Sequence, residues 1–138
     1  MFRVMVVEDF PSYREFTCST LDRRDDLQVV CEVSDGLEAV QKADELKPDL
    51  ILLDIGLTTL NGVEAARRIL LHAPESMIIF LSQETNPIIV QEVMSLGARG
   101  YVCKLDAESD LLLAVDAVLS GKRFVTRRIA SLIPKLVS

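Results

Sequence analysis

Two rhythms of apolar and polar positions alternate along this chain. Phe2 to Val7 is apolar except for Arg3 and holds three valines, the composition of a short buried strand that ends at Glu8-Asp9. Pro11 suits a first helical turn, and Tyr13, Phe16, Thr17, Thr20 and Leu21 then recur at helical spacing to about Arg24. After an Asp25-Asp26 turn, Leu27, Val29, Cys31 and Val33 alternate with Gln28 and Glu32, so this strand has one polar face and belongs at a sheet edge. Asp35-Gly36 opens a helix with Leu37, Val40, Ala43 and Leu46 on one side, stopped by Pro48.

The third strand stands apart. Leu50-Ile51-Leu52-Leu53 is aliphatic throughout and needs burial on both faces, the mark of a central parallel strand, yet it ends on Asp54. A loop from Gly56 to Leu60 leads to Asn61-Gly62, where Asn61 caps a helix carrying Val63, Ala66, Ile69 and Leu70. Met77 to Leu81 is a second wholly apolar strand, ending at Ser82. Asn86-Pro87 opens a helix with Ile89, Val90, Val93, Met94 and Leu96 as its stripe and Gly97 at its close. Tyr101-Val102-Cys103 forms a fifth strand ending at Lys104. A last helix starts at Ser109 or Asp110, carries Leu111, Leu112, Val115, Val118 and Leu119, and closes at Gly121. Five strands alternating with five helices predict an α/β fold: a five-stranded parallel sheet with right-handed crossovers and strand order 2-1-3-4-5.

Composition adds constraints. A chain of 138 residues with 49% hydrophobic and 26% charged residues has the size and balance of one globular domain. No apolar run approaches membrane-spanning length, and Val4 to Val7 is too short for a secretory signal. Cys18, Cys31 and Cys103 have no metal or redox spacing and read as apolar fillers of a reduced, cytoplasmic protein. The net charge of −6 is uneven. All 21 acidic residues precede Gly121, against ten of the 15 basic ones; Lys122, Arg123, Arg127, Arg128 and Lys135 follow it. An acidic body argues against its own binding of nucleic acid. The basic tail, with Ile129, Leu132, Ile133 and Leu136 on one helical face and a break at Pro134, reads as a solvated segment.

The strand ends carry the chemistry. In a parallel sheet of this order Glu8, Asp9, Asp54, Ser82 and Lys104 all reach one edge, where open α/β sheets gather ligands. Clustered carboxylates repel unless a cation sits among them, and a hard divalent ion, Mg²⁺ most simply or Mn²⁺, meets that need. Lys104 supplies a point charge and Ser82 a donor for phosphoryl oxygens, leaving Asp54 as a carboxylate nucleophile that forms an acyl phosphate. The plainer alternative is a structural Asp54–Lys104 ion pair.

These residues sit in longer matching stretches: Val6-Val7-Glu8-Asp9, Leu53-Asp54-Ile55-Gly56-Leu57, Asn61 to Ile69, Gly97 to Lys104 and Leu119 to Val125. In order and spacing they resemble the receiver domain of two-component response regulators over residues 1–121. The nearest group carries a LuxR-type helix-turn-helix output domain. The resemblance implies a flavodoxin-like (βα)₅ receiver over 1–121, with residues 122–138 as a basic, helical tail or linker. It implies that Asp54 accepts phosphate from a sensor histidine kinase, and that the protein catalyses only its own phosphorylation and dephosphorylation. Asp9, Asp54 and the Gly56 carbonyl would bind Mg²⁺, with Glu8 acting through water. Ser82 and Tyr101 would be the coupled switch pair, and Lys104 would contact the phosphoryl group. The implied output is a face of helix four, strand five and helix five, with Ile88 and Ile89 as candidates for a homodimer contact. DNA would be reached only through an output domain beyond this chain.

Four positions depart from the family pattern: Phe10, Thr58, Gln83 and Leu105. Gln83, beside Ser82, bears on phosphorylation rate and lifetime, and Thr58 on the rigidity of the acceptor loop. Three rival readings are weaker. A haloacid-dehalogenase-type hydrolase wants an Asp where Gly56 stands. A nucleotide or flavin binder wants a Gly- or Ser/Thr-rich loop where Glu8-Asp9 stands. A stand-alone or phosphorylation-independent interaction module usually lacks an acid or the lysine, and this chain keeps them all.

Overall fold

The computed structural model describes residues 1–132, so Ile133, Pro134, Lys135 and Leu136 of the expected tail lie outside the described residues. The strands are β1 (Phe2–Val7), β2 (Leu27–Val33), β3 (Leu50–Leu53), β4 (Met77–Ser82), β5 (Gly100–Cys103) and β6 (Phe124–Val125). Between and after them lie α1 (Pro11–Leu21), α2 (Gly36–Leu46), α3 (Gly62–His72), α4 (Pro87–Met94), α5 (Ala107–Leu119) and the short α6 (Arg127–Ala130). The sheet is parallel throughout, in the order β2-β1-β3-β4-β5-β6.

The expected order is therefore right from β2 to β5, but the sheet has six strands rather than five. Phe124–Val125 docks beside β5 in register with Gly100 and Tyr101. Two residues are too few to show a periodicity, so the pattern gave no strand there. What makes one is the unpaired edge of β5, which would otherwise leave its backbone groups open. Two helix boundaries also differ. α1 stops at Leu21, where Asp22 caps it, and Arg24 instead pairs with Asp26 and Asp116. α5 begins at Ala107, because a 3₁₀ turn over Lys104–Asp106 feeds straight into it and buries Ala107.

The alternation of side chains divides the core in two. Val4, Val6, Leu50, Leu52, Ile79, Leu81 and Val102 pack with Leu21 of α1 and with Leu111, Ala114, Val115 and Val118 of α5. Met5, Val7, Ile51, Leu53, Ile78, Phe80, Tyr101 and Cys103 pack on the opposite face with α2, α3, α4 and Ile129 of α6. Each fully buried Leu, Ile or Val contributes roughly 1.5–3 kcal/mol through lost contact with water. Helix starts follow the expected chemistry: Asp35, Asn61 and Asn86 accept hydrogen bonds from the backbone N–H of Glu38, Glu64 and Ile88.

Register brings the strand ends together. Val7 is level with Leu53, Leu53 with Phe80, and Ser82 with Cys103. Glu8 and Asp54 are thus neighbours, and Ser82 and Lys104 emerge at the same edge. Among the described residues no helix is long and apolar enough to cross a membrane.

Candidate functional site

An open cleft of about 410 Å³ lies at this edge, lined by Glu8, Asp9, Asp54, Gly56, Ser82 and Lys104 among others. The pleat sorts them. Glu8, Asp54 and Lys104 continue the alternation that faces α1 and α5, whereas Ser82 continues the face that carries Phe80, Tyr101 and Cys103. Glu8, Asp54 and Lys104 therefore approach the cleft from the side of the sheet opposite to Ser82.

Lys104 sits between two buried carboxylates. Its Nζ lies 2.7 Å from Glu8 Oε1 and 3.3 Å from Asp54 Oδ2. The closer partner is Glu8, not Asp54, which bears on the simple Asp54–Lys104 pair considered from sequence. The other Asp54 oxygen accepts a long 3.3 Å bond from the Gly56 N–H. Asp54 is thus held loosely at both oxygens, while Glu8 is also fixed by the Phe10 N–H at 3.2 Å. Burial lifts the Glu8 carboxyl above its ordinary value and the nearby Asp54 charge adds to this, although the Lys104 hydrogen bond pulls the other way. Burial opposes the charge on Lys104, but its bonds to Glu8 and the field of Asp54 outweigh that and raise its pKa.

Carboxylate oxygens of Glu8, Asp9 and Asp54 all lie within 4.8 Å of one another. Three hard oxygen donors that close, facing an open cleft, fit a divalent ion with water in its remaining positions. The acidic cluster can hold a metal.

The backbone behind Asp54 is tightly built. The Gly62 N–H donates to the Ile55 carbonyl at 2.8 Å, and a Cβ on Gly62 would collide with the Asp54 carbonyl oxygen. Only glycine lets the start of α3 approach the loop after Asp54 so closely. In that loop Thr58 is exposed, and its neighbour Thr59 has a φ of 59°, a strained value for a β-branched residue.

Ser82 Oγ accepts a hydrogen bond from the Glu84 N–H at 3.2 Å, and Tyr101 is fully buried with its hydroxyl donating to the Glu84 carbonyl at 2.7 Å. Burial raises the Tyr101 pKa. Gln83 is exposed and lines the cleft. Ile88 is exposed and Ile89 half-buried on α4.

Three contributors were not singled out from sequence as site residues. The Tyr13 ring lies 4.3 Å from Lys104 Nζ, a cation–π contact; its place in the helix following Glu8-Asp9 was the available signal, absorbed into the apolar stripe. Glu84 acts through its backbone, which no side-chain pattern reveals. Thr126 Oγ1 accepts the Cys103 N–H at 3.0 Å from beyond the last expected helix.

Comparison with known proteins places the chain in a family. The family described as "Response regulator receiver domain" matches residues 4–116. "Response regulator GacA" of Pseudomonas viridiflava is 32% identical over 130 residues, covering 94% of this chain but 61% of that protein. The crystal structure of a LuxR-family two-component response regulator from Aurantimonas sp. SI85-9A1 has a TM-score of 0.92 at 30% identity, covering 98% of this chain and 96% of that one. The isolated receiver of RcsB from Salmonella enterica serovar Typhimurium, solved with the phosphomimetic BeF₃⁻, has a TM-score of 0.88 at 25% identity, covering 95% and 97%. A further structure, of two RcsB dimers bound to two parallel DNAs, has a TM-score of 0.88 at 26% identity, covering 97% of this chain and 68% of that one.

Proposed function

This chain belongs to the response regulator receiver domain family, and from that premise we propose that Asp54 is the residue that accepts the phosphoryl group. The observation that carries this reading is the cluster itself: Glu8, Asp9 and Asp54 within 4.8 Å of one another, with Lys104 bonded to two of them. Asp9, Asp54 and the Gly56 carbonyl would hold Mg²⁺, or Mn²⁺ in its place, with Glu8 acting through water. When bound, the ion would neutralise charge on the phosphoryl oxygens.

The chain's own residues do the rest. One Asp54 carboxylate oxygen attacks phosphorus as the P–N bond to the imidazole of a phosphohistidine kinase breaks, its electron pair leaving on nitrogen. Lys104 moves from Glu8 toward a phosphoryl oxygen and stabilises the charge there. Ser82, which accepts from the Glu84 N–H, turns away from it and donates its hydroxyl proton to a second phosphoryl oxygen. Attack of water on phosphorus later returns the carboxylate and inorganic phosphate. The acyl phosphate carries roughly −1.5 to −2 charges where the free carboxylate carried one, and presents three strong acceptor oxygens. The Ser82, Glu84 and Tyr101 linkage supports a switch in which release of Ser82 frees the loop that Tyr101 holds.

The receiver unit in this reading runs past residue 121 to about Leu132, since β6 completes the sheet and Ile129 is buried in its core. The chain spans 55–61% of the length of relatives such as GacA and LnrK, the latter named a transcriptional regulatory protein of Bacillus subtilis. Control of a DNA-binding output domain, homodimerisation through the α4 side with Ile88, a partner kinase and a cytoplasmic setting are therefore part of the proposal. The test is labelling by radioactive acetyl phosphate with Mg²⁺. Wild-type protein should gain label and Asp54→Asn should not; equal labelling of both would overturn the assignment.

A further inference from the structure

The segment after α5 is wired to the stretch that carries Lys104. On one side of Lys104, the buried Thr126 accepts the Cys103 N–H through Oγ1 at 3.0 Å, and its own N–H donates to the Tyr101 carbonyl at 2.9 Å. On the other side, Arg128 grips Asp106 with two parallel bonds, Nε to Oδ2 at 2.9 Å and an η nitrogen to Oδ1 at 2.8 Å. Ile129, the residue after Arg128, is buried and anchors the segment in the core. The 3₁₀ turn Lys104–Asp106 is therefore held at both ends by residues outside the matched family region, residues 4–116. A planar guanidinium bound through two nitrogens fixes direction as well as distance.

We propose that Thr126 and Arg128 are positioning residues for Lys104, clamping its backbone so that the ammonium reaches the phosphoryl group. This rests on the reading of Asp54 as acceptor and Lys104 as its phosphoryl contact. Because the coupling is reciprocal, filling the site tightens the Thr126–Arg128 segment, and so informs whatever follows it. Arg128 is exposed and Asp106 half-buried, so solvent screens the pair and its contribution to stability as an ion pair is small. Its loss should therefore be felt at the site more than in folding.

The experiment is calorimetric titration of the full chain with beryllofluoride in excess Mg²⁺. Arg128→Ala should weaken binding about 3- to 10-fold, a fraction of the roughly 100-fold that a displacement of about 1 Å can cost. Arg128→Lys, which keeps the charge and loses the fork, should recover only part of this. Thr126→Val should weaken binding to a similar extent, and Thr126→Ser should restore it. In a Lys104→Ala background, Arg128→Ala should have no further effect, which a merely structural role would not produce. Unchanged affinity in Arg128→Ala and Thr126→Val, or an equal loss with and without Lys104, would overturn the inference alone. No binding by the unaltered protein would overturn the reading of the site as well.

Discussion

Replacing Lys104 with methionine tests the electrostatics of the cleft. The substitution keeps an unbranched apolar stem and removes the ammonium that lies 2.7 Å from Glu8 and 3.3 Å from Asp54. Two buried carboxylates are then left facing each other across no more than 4.8 Å. At an effective dielectric of about 20 their repulsion is roughly 3.5 kcal/mol. Stripping one partner from a buried ion pair costs about 3–5 kcal/mol, and an open cleft places this case near the lower figure, about 3 kcal/mol. For a chain of this size that corresponds to a fall in Tm of about 12 °C. The diagnostic is Mg²⁺. A ligand at 100 times its Kd stabilises by about 2.7 kcal/mol, and the variant should gain more than wild type because no ammonium competes for the carboxylates. Urea unfolding with and without Mg²⁺ measures both gains. Equal gains, or a variant as stable as wild type without the metal, would refute the reasoning.

Three further outcomes follow from particular contacts. Gly62→Ala drives a Cβ into the Asp54 carbonyl and should cost about 1–3 kcal/mol in chemical denaturation, with Mg²⁺ binding weakened alongside. Thr126→Val leaves the buried Cys103 N–H without an acceptor and should lower stability by about 1–3 kcal/mol, with faster hydrogen exchange at Cys103. The Arg128 hydrogen bonds hold the Asp106 carboxyl below its ordinary value. A lowered carboxylate stabilises the fold above its unfolded pKa and loses that contribution as pH falls through the folded value. The small Tm difference between wild type and Arg128→Ala should accordingly vanish in acid, and a difference that widens there would contradict the pairing.

Much of this was readable from residue pattern. The all-aliphatic runs Leu50–Leu53 and Met77–Leu81 mark central strands because only a strand covered on both faces hides every side chain, and the polar face of Leu27–Val33 marks an edge. Once the order was set, parallel strands delivered Glu8, Asp54, Ser82 and Lys104 to one edge by geometry alone. What stayed hidden depends on three-dimensional register or on the backbone. A two-residue strand at Phe124–Val125 has no periodicity. The preference of Lys104 for Glu8 over Asp54 comes from side-chain reach after the pleat has put all three on the α1–α5 side. Tyr13 looked like core because it shares a helical spacing with Thr17, Thr20 and Leu21, but its ring is half-buried and its face meets an ammonium. The grip of Glu84 on Ser82 and Tyr101 passes through main-chain atoms that any residue possesses.

The identity of the phosphorylated atom is decided most directly by trapping. After incubation with acetyl phosphate and Mg²⁺, borohydride reduction converts an aspartyl phosphate to homoserine, which peptide mass spectrometry locates. Homoserine at position 54, and at no other aspartate, is the expected result. Conversion at Asp9, or none anywhere in a protein that binds Mg²⁺, would contradict the assignment of Asp54 as the acceptor.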